Sequence, residues 1–300
     1  MVDSFKVNSD FHNTRLDKWF VHNIKNLPHS LIEKLIRTKK IKVNNKKVKS
    51  SYRLNKGDII RLFGIGKYAV NKVKEKEKYL PSNKDLNILA NIIIENNDNF
   101  IVINKPNGIA VQSGTNSFKN LNDILKRSIY FNNSKPFIVH RLDKETSGIM
   151  IFAKNRSYAQ LFTSLFRIRK IHKTYHAVVK GNPEFKKKVL EDNLEYYDNN
   201  GDKYFQKAIT NVKVLKNSNG YSILELIPVT GRKHQLRRQL FNIGFPIVGD
   251  KKYKIKKNNK ADTNLLLHAH SLKFMIKKLR FNYKAAHPDY FENYLKSIIS

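Results

Sequence analysis

The residues best placed to do chemistry lie in the stretch VHRLDKETSGIMIFAKN (139–155). An apolar run ends at Val139, a dense polar turn follows, and Gly148 opens a second apolar run, so the turn joins two strands beside a sheet. Polar groups held between rigid neighbours are well placed for catalysis. Asp143 is the carboxylate at the centre of this turn, and by pattern alone it fits a catalytic acid or base, a turn-forming residue or one half of a salt bridge. His268 and His270 sit two apart on a predicted strand and could face one metal ion. No third ligand is evident, so packing or surface roles are preferred and no metal is expected.

Several other chemistries are excluded by what is missing. There is no GxxxxGK[ST] phosphate loop, no HExxH and no GxSxG, and Gly64-Ile65-Gly66 lacks the third glycine and the helix of a dinucleotide site. The chain has no cysteine, so thiolate nucleophiles, disulfides and cysteine-ligated zinc are ruled out.

Lys and Arg number 58 against 24 Asp and Glu, a net charge of +34 over 300 residues. A surface so charged repels itself unless a polyanion neutralises it, and nucleic acid gains affinity by releasing counterions as it does so. Base bias in the encoding genome explains a Lys- and Asn-rich chain equally well on charge alone. With 40% hydrophobic residues the chain can bury a core. The lead MVDSFKVNSDF has no basic segment followed by an apolar one, and no apolar run approaches the roughly 20 residues of a membrane span. A cytoplasmic protein is the expectation.

The elements that must position these residues fall into two groups. Near the N-terminus, Leu16, Phe20 and Ile24 recur at helical spacing up to Leu27-Pro28. Ser30 and Glu33 then predict a capping box for a second helix with Leu31, Ile32, Leu35 and Ile36 buried. IKV (41–43), Asn44-Asn45 and KKVK (46–49) read as a hairpin, and a turn at Lys56-Gly57-Asp58 leads into IIRLF (59–63). The run YAVNKVKEKEKYLPSNKD has alternating charge and no apolar period, as a linker would. These features predict a small module over 1–68, a linker over 69–85 and a larger domain over 86–300.

In the larger domain FIVINKP (100–106), GIMIFAK (148–154), TYHAVVKG (174–181), YSILELIP (221–228) and LLLHAHSLKF (265–274) read as strands. One helix follows Asn155, and another begins near Arg232 and ends at Gly244. Strands outnumber helices without alternating with them, which favours α+β over a doubly wound α/β fold.

The first module, on RLDKWF (15–20), SLIEKLIRTKKIKVNNKKVK (30–49) and YRLNKGD (52–58), resembles the S4 RNA-binding domain. That resemblance makes Arg15, Arg37, Lys39, Lys40, Lys42, Lys46 and Lys47 candidate phosphate contacts, although an ordinary solvated face would carry the same residues. HRLDKETSG (140–148) is similar to the signature of the RluA/RluC/RluD family of ribosomal and transfer RNA pseudouridine synthases. NKPNGIAVQSG (104–114), KTYHAVVKG (173–181), TGRKHQLRRQLFNIGFPIVGDKKY (230–253), LHAHSLKF (267–274) and AHPDYF (286–291) resemble the family's other blocks, in order. Gln112 departs from the His that many relatives carry.

The resemblance implies a mixed, largely antiparallel sheet for the catalytic domain. It implies isomerisation of uridine by cleaving N1–C1′, turning the uracil and joining C5 to C1′, without metal or cofactor. Asp143 would be the essential carboxylate, acting as a nucleophile at the sugar or by taking a sugar proton. Arg232 would pair with it bidentately, and Tyr175 would pack on the uracil, its hydroxyl assisting removal of the C5 proton after rejoining. Arg141 would fill the space of an everted base or bind phosphate, while Lys233, Arg237 and Arg238 would grip the RNA backbone. His140 is read as a structural hydrogen-bonder, and Thr146, Ser147 and Gly148 as turn chemistry. Within the family the TSG and AKNRS segments look RluC-like, implying large-subunit ribosomal RNA as the partner and a monomer as the working form. A non-catalytic RNA-binding protein and an S4-containing methyltransferase are the alternatives. Asp143, Tyr175 and Arg232 at matching positions argue against the first, and the lack of a glycine-rich cofactor loop argues against the second.

Overall fold

The computed structural model describes residues 2–8, 11–24, 27–64, 79–113, 119–132, 134–198, 201–254 and 264–299. The chain divides into two units, Met1–Lys78 and Tyr79–Ser300. The expected linker over 69–85 lies outside the described residues up to 78, and its last residues belong to the second unit.

The first unit contains β1 (Val2–Lys6), β2 (Thr14–Arg15), α1 (Leu16–Asn23), α2 (His29–Arg37), β3 (Ile41–Val43), β4 (Arg53–Leu54) and β5 (Ile59–Phe63). Its sheet has the order β1-β5-β3, with β2 and β4 paired separately. Leu16, Trp19 and Phe20 from α1 and Ile32, Leu35 and Ile36 from α2 pack on Ile41, Ile60 and Leu62 of the sheet. The apolar stripe read from helical spacing is therefore the core.

Two local expectations are corrected. Ser30 does not cap α2: the helix begins at His29, and Pro28 supplies the carbonyl that accepts from Leu31 and Ile32 N–H. Proline's fixed φ and missing N–H suit a helix entrance, which moves the boundary forward and leaves Ser30 inside the first turn. Asn44 and Asn45 do take positive φ, 49° and 64°. Val43 and Lys46 close the turn as expected, each N–H donating to the other's carbonyl at 3.1 and 2.8 Å, but the pairing stops at that one bridge and the strand partner of β3 is β5.

The second unit contains α3 (Asn83–Ile92), β6 (Ile93–Asn96), β7 (Phe100–Lys105), α4 (Leu121–Arg127), β8 (Phe137–Ile138), β9 (Ser147–Ala153), α5 (Arg156–Arg167) and β10 (His172–Lys180). There follow β11 (Lys187–Tyr197), β12 (Lys203–Ser218), β13 (Tyr221–Pro228), α6 (Gln235–Asn242), β14 (Leu267–Ile276), β15 (Leu279–Lys284) and α7 (Asp289–Ile299). They build a ten-stranded sheet of order β11-β12-β13-β10-β14-β9-β7-β6, with β15 beside β14 and β8 beside β9. Among the described residues every pairing of these strands is antiparallel except β9 with β14, so the fold is α+β on a mixed, largely antiparallel sheet. No helix among the described residues is long and apolar enough to cross a membrane.

The parallel contact explains one glycine of HRLDKETSG. Gly148 has φ of 112°, and a Cβ there would stand 2.3 Å from the Ala269 carbonyl oxygen of β14. Only a residue without a side chain lets β9 begin against β14. Asn155 caps α5 by accepting from Tyr158 N–H at 3.0 Å. The helix expected near Arg232 starts three residues later, at Gln235, and that shift matters for the site.

Candidate active site

The connection from β8 to β9 carries Asp143 at the wall of a cleft of about 990 Å³. Tyr175, Lys173, Arg141, Arg232, His234 and Arg237 also line it. The cleft thus gathers residues from the β8–β9 turn, β10 and the entrance of α6.

The turn holding Asp143 is braced from the end of β7. Lys105, fully buried, donates its ammonium protons to the carbonyls of Pro106, Ile109 and Lys144 at 2.8, 2.9 and 3.0 Å. Gly108 N–H reaches the Lys144 carbonyl as well, at 2.9 Å, and the Asn107 amide bonds the Glu145 carbonyl. Burial pushes the Lys105 ammonium down to about 7 against the pull of the Glu145 and Asp143 carboxylates. Three acceptors match the three protons of the charged form, so the cradle itself favours the ammonium. The block NKPNG therefore shapes the turn that carries Asp143. Within the turn Thr146 N–H closes on the Asp143 carbonyl at 3.1 Å. His140 accepts from Ile151 N–H at Nε2, 2.9 Å, and stacks on Phe166, the structural role expected of it.

The arginine facing Asp143 is Arg237, and the expectation for Arg232 is corrected. Arg237 Nη1 lies 3.6 Å from Asp143 Oδ2, while its Nε and Nη2 make a bidentate pair with Asp250 at 2.7 and 2.8 Å. Asp250 in turn accepts from Lys252 and Tyr253 N–H at 2.8 and 2.9 Å. Arg237 is only 4% exposed, so it also cannot grip an RNA backbone as expected. Arg232 instead donates from Nε to the Lys207 carbonyl at 3.1 Å. The physical reason is the helix boundary. Arg237 is the third residue of α6 and faces the sheet, whereas Arg232 lies in the turn before the helix, tied by its N–H to Gln235 Oε1 at 3.1 Å.

His234 was absent from the expected site. It holds a left-handed backbone, φ 54°, which aims Nε2 to 3.7 Å from Asp143 Oδ1 while Nδ1 meets the Tyr253 hydroxyl at 3.1 Å. Burial and the cations Arg237, Lys252 and Lys233 push the imidazole down, with Asp143 opposing. A left-handed histidine at a helix entrance was the signal that could have drawn attention, but no sequence pattern displays it.

Tyr175 stands on β10 just after an irregularity in the pairing with β14, where His270 is the residue left over between the partners Ser271 and Ala269. Burial, and then the Asp143 carboxylate, hold its phenol well above the usual range, so it stays protonated. Lys173, two residues earlier, adds a cation to the same wall and is pushed down by burial.

The remaining expected contacts divide by exposure. Arg141 is exposed on the cleft wall and Lys233 is exposed before α6. Arg238 donates to the Glu195 carbonyl at 2.8 Å and lies 4.9 Å over the Tyr196 ring, tying α6 to β11. In the first unit Arg15 is bidentate with Asp17, at 3.2 and 2.6 Å, so part of its donor capacity is used within the protein. Arg37, Lys39, Lys46 and Lys47 are exposed; Lys40 and Lys42 are half-buried, the latter 5.2 Å over Phe63. Gln112 is exposed. The hairpin β11–β12 is missing from the strands expected above, although KKVLEDNLEYY and the NNGD turn signal it. It carries exposed Tyr197, Tyr204 and Phe205, while Lys203 and Lys207 pair with Glu195 and Glu191 at 2.7 and 2.9 Å.

Comparison with known proteins follows the same division. Residues 99–242 match the family model described as RNA pseudouridylate synthase, and residues 14–60 match the S4 domain. The ribosomal large subunit pseudouridine synthase C of Buchnera aphidicola subsp. Baizongia pistaciae (strain Bp) is 34% identical, covering 95% of this chain and 94% of the relative. That of Rickettsia felis (strain ATCC VR-1525 / URRWXCal2) is also 34% identical, covering 87% and 88%. Among solved structures, human RNA Pseudouridylate Synthase Domain Containing 4 superposes with a TM-score of 0.61 at 26% identity, over 71% of this chain and 95% of that one.

Proposed function

The chain belongs to the RNA pseudouridylate synthase family, an isomerase family that turns uridine into pseudouridine. From that premise we propose that its substrate is large-subunit ribosomal RNA and that Asp143 carries the chemistry. The relatives' names supply the substrate, and the S4 domain supplies a surface for structured RNA. The observation that carries the site is Asp143 on a braced turn, with the Arg237 guanidinium and the His234 imidazole each under 4 Å from its oxygens.

The reaction breaks N1–C1′ and makes C5–C1′; the hydrogen lost from C5 is balanced by the one N1 gains, so no group enters or leaves the RNA. Asp143 acts at the sugar–base junction, where a carboxylate can meet the reacting atoms. Arg237, locked by Asp250, keeps a fixed positive charge beside it. Tyr175 packs against the uracil and holds it for rejoining. The uridine must leave its stack to enter the cleft, costing a few kcal/mol. Arg141 and Lys233 at the wall, with the exposed aromatic residues of the hairpin β11–β12, hold the surrounding RNA. We place the protein in the cytoplasm, acting as a monomer without cofactor.

The test uses large-subunit RNA from cells lacking this protein, treated with wild-type enzyme or Asp143→Asn and read with a pseudouridine-specific chemical probe. Wild type installs pseudouridine and the variant binds RNA equally well but installs none. No modification by wild type, or full activity of the variant, refutes the proposal.

A further inference from the structure

On the sequence, His268 and His270 lacked a third ligand. The fold supplies it. His176 on β10 and His287, in the connection from β15 to α7, close around His270 on β14, and one nitrogen from each of these three rings lies within 4.8 Å of the other two. Successive side chains of a strand point to opposite faces, so His176 lies behind Tyr175, on the face of β10 away from the cleft.

We propose that His176, His270 and His287 form a binding site for a divalent transition-metal ion of the zinc class, distinct from the isomerisation site. Imidazole nitrogens suit such ions, and the protein has no thiolate to compete for them.

The arrangement around each ring supports a ligand role. His287 Nδ1 is 2.7 Å from Glu292 Oε1; the carboxylate accepts, so Nδ1 holds the proton and Nε2 presents its lone pair to the cluster. A carboxylate behind a histidine is the usual outer support of a metal-bound imidazole, fixing tautomer and ring orientation. Nε2 of His287 lies 2.9 Å from His176 Nδ1, which donates to it. Metal binding replaces that hydrogen bond: the His176 proton moves to the other ring nitrogen and Nδ1 turns its lone pair to the ion. His270 Nδ1 is buried without any hydrogen-bond partner. By contrast His268, the fourth histidine here, has both nitrogens engaged, Nδ1 with Ser147 Oγ at 3.0 Å and Nε2 with the Ala285 carbonyl at 3.2 Å. It is a packing histidine.

All three proposed ligands are partly exposed residues. Coordination requires one adjustment. His176 and His270 are stacked with centroids 4.1 Å apart and planes 16° from parallel, which aims their lone pairs side by side. One ring turns so that the nitrogens converge to the roughly 3.4 Å spacing of tetrahedral ligands at zinc distance, with the fourth position left to water. The bound ion would fasten the entrance of α7 to β10 and β14.

The test titrates the full-length protein with Zn2+ alone against a chromogenic chelator, and with Co2+ to read ligand-field absorption. Wild type binds one equivalent and shows the absorption of nitrogen-ligated cobalt. His287→Gln weakens binding at least 100-fold and Glu292→Gln about 10-fold, while His172→Gln, an exposed histidine elsewhere on β10, leaves it unchanged. Circular dichroism checks that each variant folds, and His270→Gln, whose Nδ1 has no hydrogen bond to lose, serves as the second ligand variant. Zinc raises the melting temperature of wild type and not of the ligand variants. No bound equivalent in wild type, or undiminished binding in both His287→Gln and His270→Gln, overturns the site.

Discussion

Arg237 and Arg232 stand five residues apart and do different work. Arg237 is buried and shared between Asp250 and Asp143, so removing it strands a fully buried carboxylate. Arg237→Ala should lose about 3–5 kcal/mol of stability in urea unfolding. Arg237→Lys, which keeps the charge and loses the fork, should lower single-turnover rates by about 100-fold with little change in KM. Arg232→Ala should cost less than about tenfold, because its side chain holds a backbone carbonyl and not the carboxylate. Equal losses from the two arginines would return the pairing role to Arg232. His140 offers a pH readout. Burial, and then Lys173, push it down to about 3, and Nε2 accepts from Ile151 N–H, so the folded state holds it neutral. The unfolded chain binds the proton below about 6.5, so this contribution is present above that pH and is lost progressively down to about 3. Urea midpoints should fall on acidification, and His140→Gln should flatten the dependence by up to about 1.4 kcal/mol per pH unit.

The β9–β14 contact and the entrance of α6 are the two elements that set the site. Gly148 leaves no space for a methyl group against Ala269. Gly148→Ala should cost about 3 kcal/mol and lower the melting temperature by about 6–12 °C, with activity falling further because Asp143 lies just ahead of the displaced strand. A variant as stable and active as wild type would mean that the turn is not anchored by this contact. The entrance of α6 is held by Gln235, which accepts from Thr230 Oγ1 and donates to Thr210 Oγ1 at 2.7 and 2.8 Å, and by Gln239, which accepts from Thr210 Oγ1 at 2.7 Å. Thr210 lies on β12, 25 residues before Gln235, so nothing in the local sequence reports this tie. The strands around FIVINKP and GIMIFAK were legible because β-branched runs bounded by turns have few other uses. The choice between Arg232 and Arg237 was not, since it depends on where the helix begins and on Asp250, thirteen residues beyond Arg237. Likewise the Ser30 cap failed because Pro28 opened the helix first.

For the whole molecule, a charge of +34 makes RNA binding strongly salt-dependent. Each RNA phosphate that the protein no longer neutralises should lower the slope of log K against log salt by roughly 0.7–0.9. Changing Arg37, Lys39, Lys46 and Lys47 together to Gln should therefore reduce the slope by about three and weaken binding, with the catalytic rate on bound RNA unaltered. An unchanged slope would remove the first unit from the RNA surface. Two sets of motifs in succession point to two units, and the chain divides after Lys78. The hairpin β11–β12 was signalled only by KKVLEDNLEYY and NNGD, and its many charges hide the alternation of a core strand.

The left-handed His234 has a consequence beyond its distance to Asp143. A residue with a Cβ in that conformation costs about 1 kcal/mol or more, which glycine would recover. Selection for heat resistance alone would drift toward glycine here, and the imidazole beside the carboxylate would be lost with the strain. Thermal robustness and competence pull in opposite directions at this one backbone angle.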